Sequence, residues 1–475
     1  MRVEFSHEGL IHLECVEEAI DSLKERLVQA VQACIRIPSV ANLEERGEGA
    51  PFGAEIKRAM EWSLALGESL GFKTKNLDGY AGYVEMGAGL KILGILGHVD
   101  VVPAGDGWQV PPFGGVVKKG KVWGRGAMDD KGPMLAVLFA MKAIKDCGIS
   151  LQKRVRLILG TDEESGWLDM DYYLQREEKP HLAFIPDAEF PVINAEKGVL
   201  HLALEKGHAD FPHVRAIGGG ERANVVPDTC RVVLRGIKSE TLKARSATCS
   251  FPATVGVTWA EKGGEVEVLF SGVGAHGSLP QNGENAIIYA LRFLQGLPLS
   301  REEKTLLDWV LVHPGQGYSG EGFGLAFEDK PSGNLSLNLG MLHLSGESLR
   351  LVLDIRYPVT CSREEVLAPI EEEARRAEFT LCVLSEQAPH YVPQECDLVQ
   401  ELLKVYAGVT GFKPYVSGSG GGSYAKLIPQ AVAFGPVFPG EPDTTHAANE
   451  YISVEELILC SKIYARAILA LAGSE

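Results

Sequence analysis

Apolar and polar positions follow two different periods along the chain, and the change from one to the other outlines its architecture. From Asp21 to about Cys34 the apolar positions Leu23, Leu27, Val31 and Cys34 recur at helical spacing, and Pro38 ends the run. Lys91–Leu96 (KILGIL) is short, almost wholly apolar and flanked by glycines. Such runs belong to strands buried on both faces of a parallel sheet. Pro133–Lys145 predicts a buried helix, with proline in its first turn and Gly148 just past its end. Arg154–Leu159 and Leu182–Ile185 predict two further strands, with a helix around Met170–Arg176 between them. Strands alternating with helices in this way predict a doubly wound α/β domain around a central, mostly parallel sheet.

Past about Glu196 the period shortens. His201–Glu205, Arg231–Arg235, Glu265–Leu269 and Leu351–Ile355 alternate apolar with polar, the mark of half-buried antiparallel strands, and a helical stretch, Ala286–Leu294, lies among them. Near Pro389–Glu395 the α/β texture returns: a helix at Leu398–Tyr406, a glycine-rich loop, a strand at Ala431–Phe434 and a helix from Ser453. The expected organisation is a catalytic α/β domain (residues 1–195 and 389–475) interrupted by a large α+β lid domain (196–388) containing antiparallel sheet.

Composition narrows the class. The chain has 475 residues, 45% hydrophobic and 23% charged, the balance of a globular protein. Its net charge of −17 repels phosphate backbones, which argues against nucleic-acid and anionic-membrane partners. No apolar run approaches the ~20 residues that span a bilayer, and the first residues lack a signal-peptide pattern. The nine cysteines are scattered without a CxxC pair, so neither a disulfide framework nor a zinc ribbon is expected. They read as buried or incidental thiols in a reducing, cytoplasmic setting.

Ligands in open α/β sheets bind beyond the carboxyl ends of the strands. After KILGIL comes Gly97-His98-Val99-Asp100; after the strand at 154–159 comes Thr161-Asp162-Glu163-Glu164; after Leu182–Ile185 comes Pro186-Asp187. His446 follows the strand at 431–434 across a loop, and Asp129-Asp130-Lys131 stands just ahead of the buried helix. Singly these are cheap: Gly207-His208-Ala209-Asp210 repeats the His-x-Asp spacing without a clean strand before it, and we read His208 as incidental. Together, imidazoles and carboxylates at successive strand ends are a donor set for zinc or another borderline divalent ion.

The segments HVDVVPAG, GRGAMDDKG, TDEESG, PDAEFPVINAEKG and GEPDTTHAANE resemble the motifs of the co-catalytic zinc hydrolases, which include carnosinases, carboxypeptidase G and succinyl-diaminopimelate desuccinylase. Within that family they are most similar to bacterial Xaa-His dipeptidases of the PepV type. The resemblance implies two divalent metal ions, zinc foremost with manganese or cobalt as substitutes, bridged by Asp129. His98 and Asp187 complete one site, Glu164 and His446 the other. It implies a zinc-dependent dipeptidase, an exopeptidase that cleaves unblocked dipeptides through a metal-bridging hydroxide with Glu163 as general base. A deacylase of N-acyl or N-succinyl amino acids with the same metal centre is the alternative. Two such ions, three carboxylates and one hydroxide sum to neutrality, as a partly desolvated cleft requires. Asp100 follows His98 by two residues, so in extended backbone it shares a face with it and can take the free imidazole N–H.

In the lid, Gly274-Ala275-His276-Gly277-Ser278 and Glu221–Asp228 also match the family, which implies that His276 donates to the tetrahedral oxyanion and Asn224 helps hold the substrate. Arg356 matches the position that grips a substrate's C-terminal carboxylate, a task suited to a bidentate guanidinium. Ser423 closes the loop GSGGGS, whose backbone N–H groups are expected to line the pocket. Where the family carries arginine soon after, this chain has Lys426. The length of the insert suggests that it covers the cleft within one chain, hence a monomer.

Overall fold

A computed structural model describes residues 7–207, 211–346 and 348–473, without the side chains of residues 7–11. Contacts divide the chain into two compact units. The first comprises the described residues through Asn194, then Val392–Ser417 and the chain from Ser423 onward; the second comprises Ala195–Tyr391 and Gly418–Gly422. The glycine-rich loop thus belongs for five residues with the second unit, a return that the hydrophobic pattern does not signal.

In the first unit the elements are α1 (His7–Ile35), α2 (Ala54–Ser69), β1 (Lys73–Leu77), β2 (Ala81–Met86), β3 (Ile92–His98), α3 (Lys131–Asp146), β4 (Arg154–Gly160), α4 (Leu168–Arg176), β5 (Leu182–Ile185), β6 (Val192–Glu196, whose last two residues count with the second unit), α5 (Asp397–Thr410), β7 (Ala431–Ala433) and α6 (Val454–Ala472). The sheet runs in the order β1-β2-β4-β3-β5-β7-β6. Its centre, β4-β3-β5-β7, is parallel, and antiparallel strands flank it on both sides. Every residue of β3 is buried, which explains the unbroken apolar run. Nearly every side chain of α3 is buried as well, so that helix has no polar face. The chain leaves β3 for β4 on one side and then crosses to β5 on the other. That reversal opens a crevice at the carboxyl end of β3.

The second unit is an eight-stranded antiparallel sheet, in the order Gly256–Lys262, Glu265–Ser271, Thr229–Arg235, Val214–Gly219, Ser336–Ser345, Ser348–Tyr357, Gly198–Gly207, Thr380–Gln387. Buried and exposed positions alternate along Thr229–Arg235 and Glu265–Ser271. Among the described residues four α-helices join the sheet: Ser239–Thr248, Ala286–Gln295, Arg301–Val312 and Arg363–Arg376. The α/β class with a mostly parallel central sheet and a separate antiparallel sheet is therefore the fold observed.

The cysteines depart from expectation. Cys15 and Cys147 form a disulfide across 132 positions of sequence. Helix α1 packs along α3, and so meets a cysteine at α3's carboxyl end, a meeting that counting and spacing cannot reveal. The other seven cysteines are free thiols.

Candidate metal centre

Five side chains converge where the central strands end, all within the first unit. His98 closes β3, Glu164 lies in the loop after β4, Asp187 follows β5, Asp129 precedes α3, and His446 stands in the segment between β7 and α6. They form two groups that could each hold a metal ion, His98–Asp129–Asp187 and Asp129–Glu164–His446, with Asp129 common to both. His98 Nε2 lies 2.9 Å from Asp129 Oδ1 and 3.5 Å from Asp187 Oδ2. His446 Nε2 lies 3.0 Å from both Asp129 Oδ2 and Glu164 Oε2. The His446 backbone is left-handed at φ 59°, a conformation that a non-glycine residue holds only where its surroundings impose it.

The donor chemistry fits a cation. His98 Nδ1 is 2.9 Å from the backbone carbonyl of Asp100, an acceptor only, so the ring proton sits on Nδ1. The buried Nε2 faces the carboxylates of Asp129 and Asp187 without a hydrogen bond of good geometry to either. A positive charge among them, whether a proton on the ring or a metal ion, makes that arrangement favourable. The backbone carbonyl of Asp100, and not the carboxylate expected, thus takes the imidazole proton, and the carboxylate has another task. Its Oδ1 lies 3.4 Å from His98 Nδ1, and its Oδ2 accepts the backbone N–H of Glu164 at 3.1 Å. One residue thereby ties the end of β3 to the loop after β4.

Burial opposes protonation of both imidazoles, but Asp100, Asp129 and Asp187 raise His98 well above its ordinary value, and Asp129 and Glu164 likewise raise His446 to about 11. Burial, aided by the negative charge of Asp129, raises Glu164 to about 7, against the pull of His446. Burial, with Asp187, Glu164 and Asp129, pushes the neighbouring Glu163 well above the ordinary carboxylate range, although His98 opposes it. For Asp129 burial acts upward too, but His446 and His98 outweigh it and hold the carboxyl far below its usual value. Crowded carboxylates of this kind mark a site built for cations or for proton transfer.

The loop that carries Glu163 and Glu164 rests on a support that the sequence reading did not single out. The buried Asp169 accepts the N–H groups of Thr161 (2.7 Å) and Asp162 (3.1 Å) and the Tyr424 hydroxyl (2.5 Å). At Gly160 any Cβ would fall 2.2 Å from that hydroxyl, so β4 ends in glycine for want of room. The signal in sequence was faint: one Asp in the first turn of α4 and one Tyr after a glycine run. Ser423, in the first unit, uses its hydroxyl to cap the turn that follows, accepting Ala425 N–H at 3.2 Å.

Within the second unit the structure brings Asn224, His276 and Arg356 into one neighbourhood. Val225 pairs with His276 as an antiparallel bridge, and Gly277 N–H donates to the Asn224 carbonyl at 2.7 Å. A Cβ at Gly277 would lie 2.5 Å from Asp354 Oδ2 and 2.9 Å from the Asn224 carbonyl carbon, so only glycine fits. Ser278 N–H donates to His276 Nδ1 at 3.2 Å, which leaves the ring proton on Nε2. Arg356 aligns its guanidinium with the fully buried Asp354 (2.7 and 3.0 Å) and turns its remaining edge to the Gly420 carbonyl at 3.2 Å. His208 lies outside the described residues.

These strand-end donors and this α/β architecture have known counterparts. The chain belongs to Peptidase family M20/M25/M40, whose model matches residues 94–470, and it is accordingly an enzyme of the peptidase class. It is 39% identical over 455 residues to the Bacillus subtilis (strain 168) protein named putative dipeptidase YtjP, covering 94% of this chain and 98% of that one. A putative dipeptidase of Staphylococcus haemolyticus is 32% identical over 466 residues, covering 96% and 99%. Among solved structures the fold is similar to the di-peptidase Dug1p of Saccharomyces cerevisiae (TM-score 0.59, 17% identity, 96% and 98% covered). It is also similar to human carnosine dipeptidase 1 (TM-score 0.57, 16% identity, 96% and 99% covered).

Proposed function

We propose that this protein is a dipeptidase that hydrolyses unblocked dipeptides with two divalent cations held in the two groups that share Asp129. The observation that carries the reading is the meeting of the buried His98 Nε2 with two carboxylates, one of which also faces His446, in two donor groups that share Asp129. When bound, such cations polarise a scissile carbonyl and make water acidic enough to attack at neutral pH. Zinc suits the two imidazoles and three carboxylates, and manganese or cobalt can take the same donors.

Glu163 is the proton carrier in this reading. It adjoins the donor Glu164, and its carboxyl is poised high by burial, as a group that accepts and then returns a proton should be. It takes the proton of the attacking water and hands it to the leaving amine. His276, its ring proton on Nε2, donates to the oxyanion, Asn224 beside it holds the substrate, and Arg356 meets the C-terminal carboxylate. The dipeptidase names of full-length relatives support this substrate class over N-acyl amino acids.

The test is Glu163→Ala. Turnover of a free dipeptide should fall about 10²–10⁴-fold, the usual worth of a general acid–base group, with metal content unchanged. Normal turnover, or loss of metal in step with activity, would reject the role. Faster hydrolysis of N-acetyl or N-succinyl amino acids than of dipeptides by the intact enzyme would replace the dipeptidase by a deacylase.

A further inference from the structure

A buried ion pair behind the metal centre has no part in the chemistry above. Arg125 Nη1 lies 2.7 Å from Glu450 Oε2, and the two residues are 2% and 0% exposed. The other oxygen of Glu450 accepts two successive backbone N–H groups, Met128 at 2.8 Å and Asp129 at 3.2 Å. Gly124 N–H closes the arrangement on the Glu450 carbonyl at 3.0 Å. Arg125 reaches on toward the carbonyls of Pro103 and Ala104, at 3.5 and 3.4 Å, and lies over the Trp108 ring. Beside Glu450, Asn449 accepts the N–H of Gln109 (2.7 Å) and donates to the Gly107 carbonyl (3.2 Å).

Three segments therefore meet at one pair: the stretch after His98 and Asp100, the loop that ends in Asp129, and the turn that carries His446. Replacing such a buried pair by apolar residues is often neutral for stability, so folding alone does not account for it. The position of Glu450 does. It grips the amide of the one residue that both donor groups share, and the Asp129 carboxylate turns Oδ1 toward His98 and Oδ2 toward His446. A small rotation of that residue moves both oxygens together.

We infer that Glu450, held by Arg125, is a positioning residue: it fixes the Asp129 backbone and so sets the affinity of both metal sites at once. The inference rests on the two-cation reading above. Zn²⁺ titrated calorimetrically into chelator-stripped protein, against a competing chelator, reads each site. R125M/E450Q keeps an oxygen before the two N–H groups and strands no charge; it should bind two ions as wild type does. R125M/E450L removes the oxygen, and both affinities should fall together by about 10–100-fold, as for other groups that orient metal ligands. Glu450→Asp, charged but one methylene short, should show the same paired loss and serves where the leucine variant does not fold. Metal-free melting temperatures measured alongside separate affinity from stability. Wild-type affinity in folded E450D or R125M/E450L, loss at one site only, or equal loss in R125M/E450Q would overturn the inference. Wild-type protein that takes up no Zn²⁺ would instead refute the two-cation reading.

Discussion

At the scale of single residues, position relative to a strand end carried more information than residue type. His98, Glu164 and Asp187 were legible because each follows an apolar run, and Asp129 because it precedes a buried helix. What could not be read was the partner of each. His98 gives its Nδ1 proton to a backbone carbonyl, which no side-chain pattern encodes, and the Asp100 carboxylate reaches an amide 64 positions away. Arg356 shows the same limit: its fork lies against Asp354, two residues earlier on the same strand. In the proposed role its worth to a substrate carboxylate is about 1.5–3 kcal/mol, the value of hydrogen bonds to charged groups. Arg356→Ala should therefore raise KM for free dipeptides by about 10–100-fold and leave C-terminally amidated analogues much less affected. Equal effects on both would place the carboxylate clamp elsewhere.

Elements were legible where a single force dominates. Complete or nearly complete burial wrote β3, β5 and α3 as apolar runs, and alternation marked the half-buried strands of the second unit. Helices with balanced faces escaped. Arg301–Val312 and Arg363–Arg376 each begin with a capping box, Ser300 with Glu303 and Ser362 with Glu365, a local signal that outweighs their weak apolar stripes. The join between β4 and α4 bears a consequence for pH. Burial raises Asp169 to about 7, though the Tyr424 hydroxyl opposes the shift. The folded chain thus keeps a proton there that the unfolded chain, at about 3.9, has released. Stability from this group is complete below the unfolded value and is lost as pH rises through about 7. Asp162, raised to about 6, and Glu450, raised to about 7, act with the same sign. Asp169→Asn should accordingly show a smaller fall in Tm than wild type between about pH 5 and 7. A slope equal to wild type would contradict it.

For the whole molecule, the family assignment covers residues 94–470, and the cation reading supplies a bulk test. A ligand that binds only the folded state at 100 times its Kd adds about 2.7 kcal/mol. Zinc added to chelator-stripped protein should raise the Tm of the transition by several degrees and restore dipeptide hydrolysis; no shift would speak against bound metal. The crossings of the chain between its two units carry a further consequence for biosynthesis. The first unit is not continuous in sequence, and His446 is supplied only after the whole second unit has been made. A growing polypeptide that has just emerged as far as Tyr391 holds four of the five donors yet lacks β7, α5 and α6. The ribosome must therefore release the chain as far as His446 before the centre can close, and a nonsense codon between Asp187 and His446 leaves a truncated species that carries every residue of one donor group but not of the other.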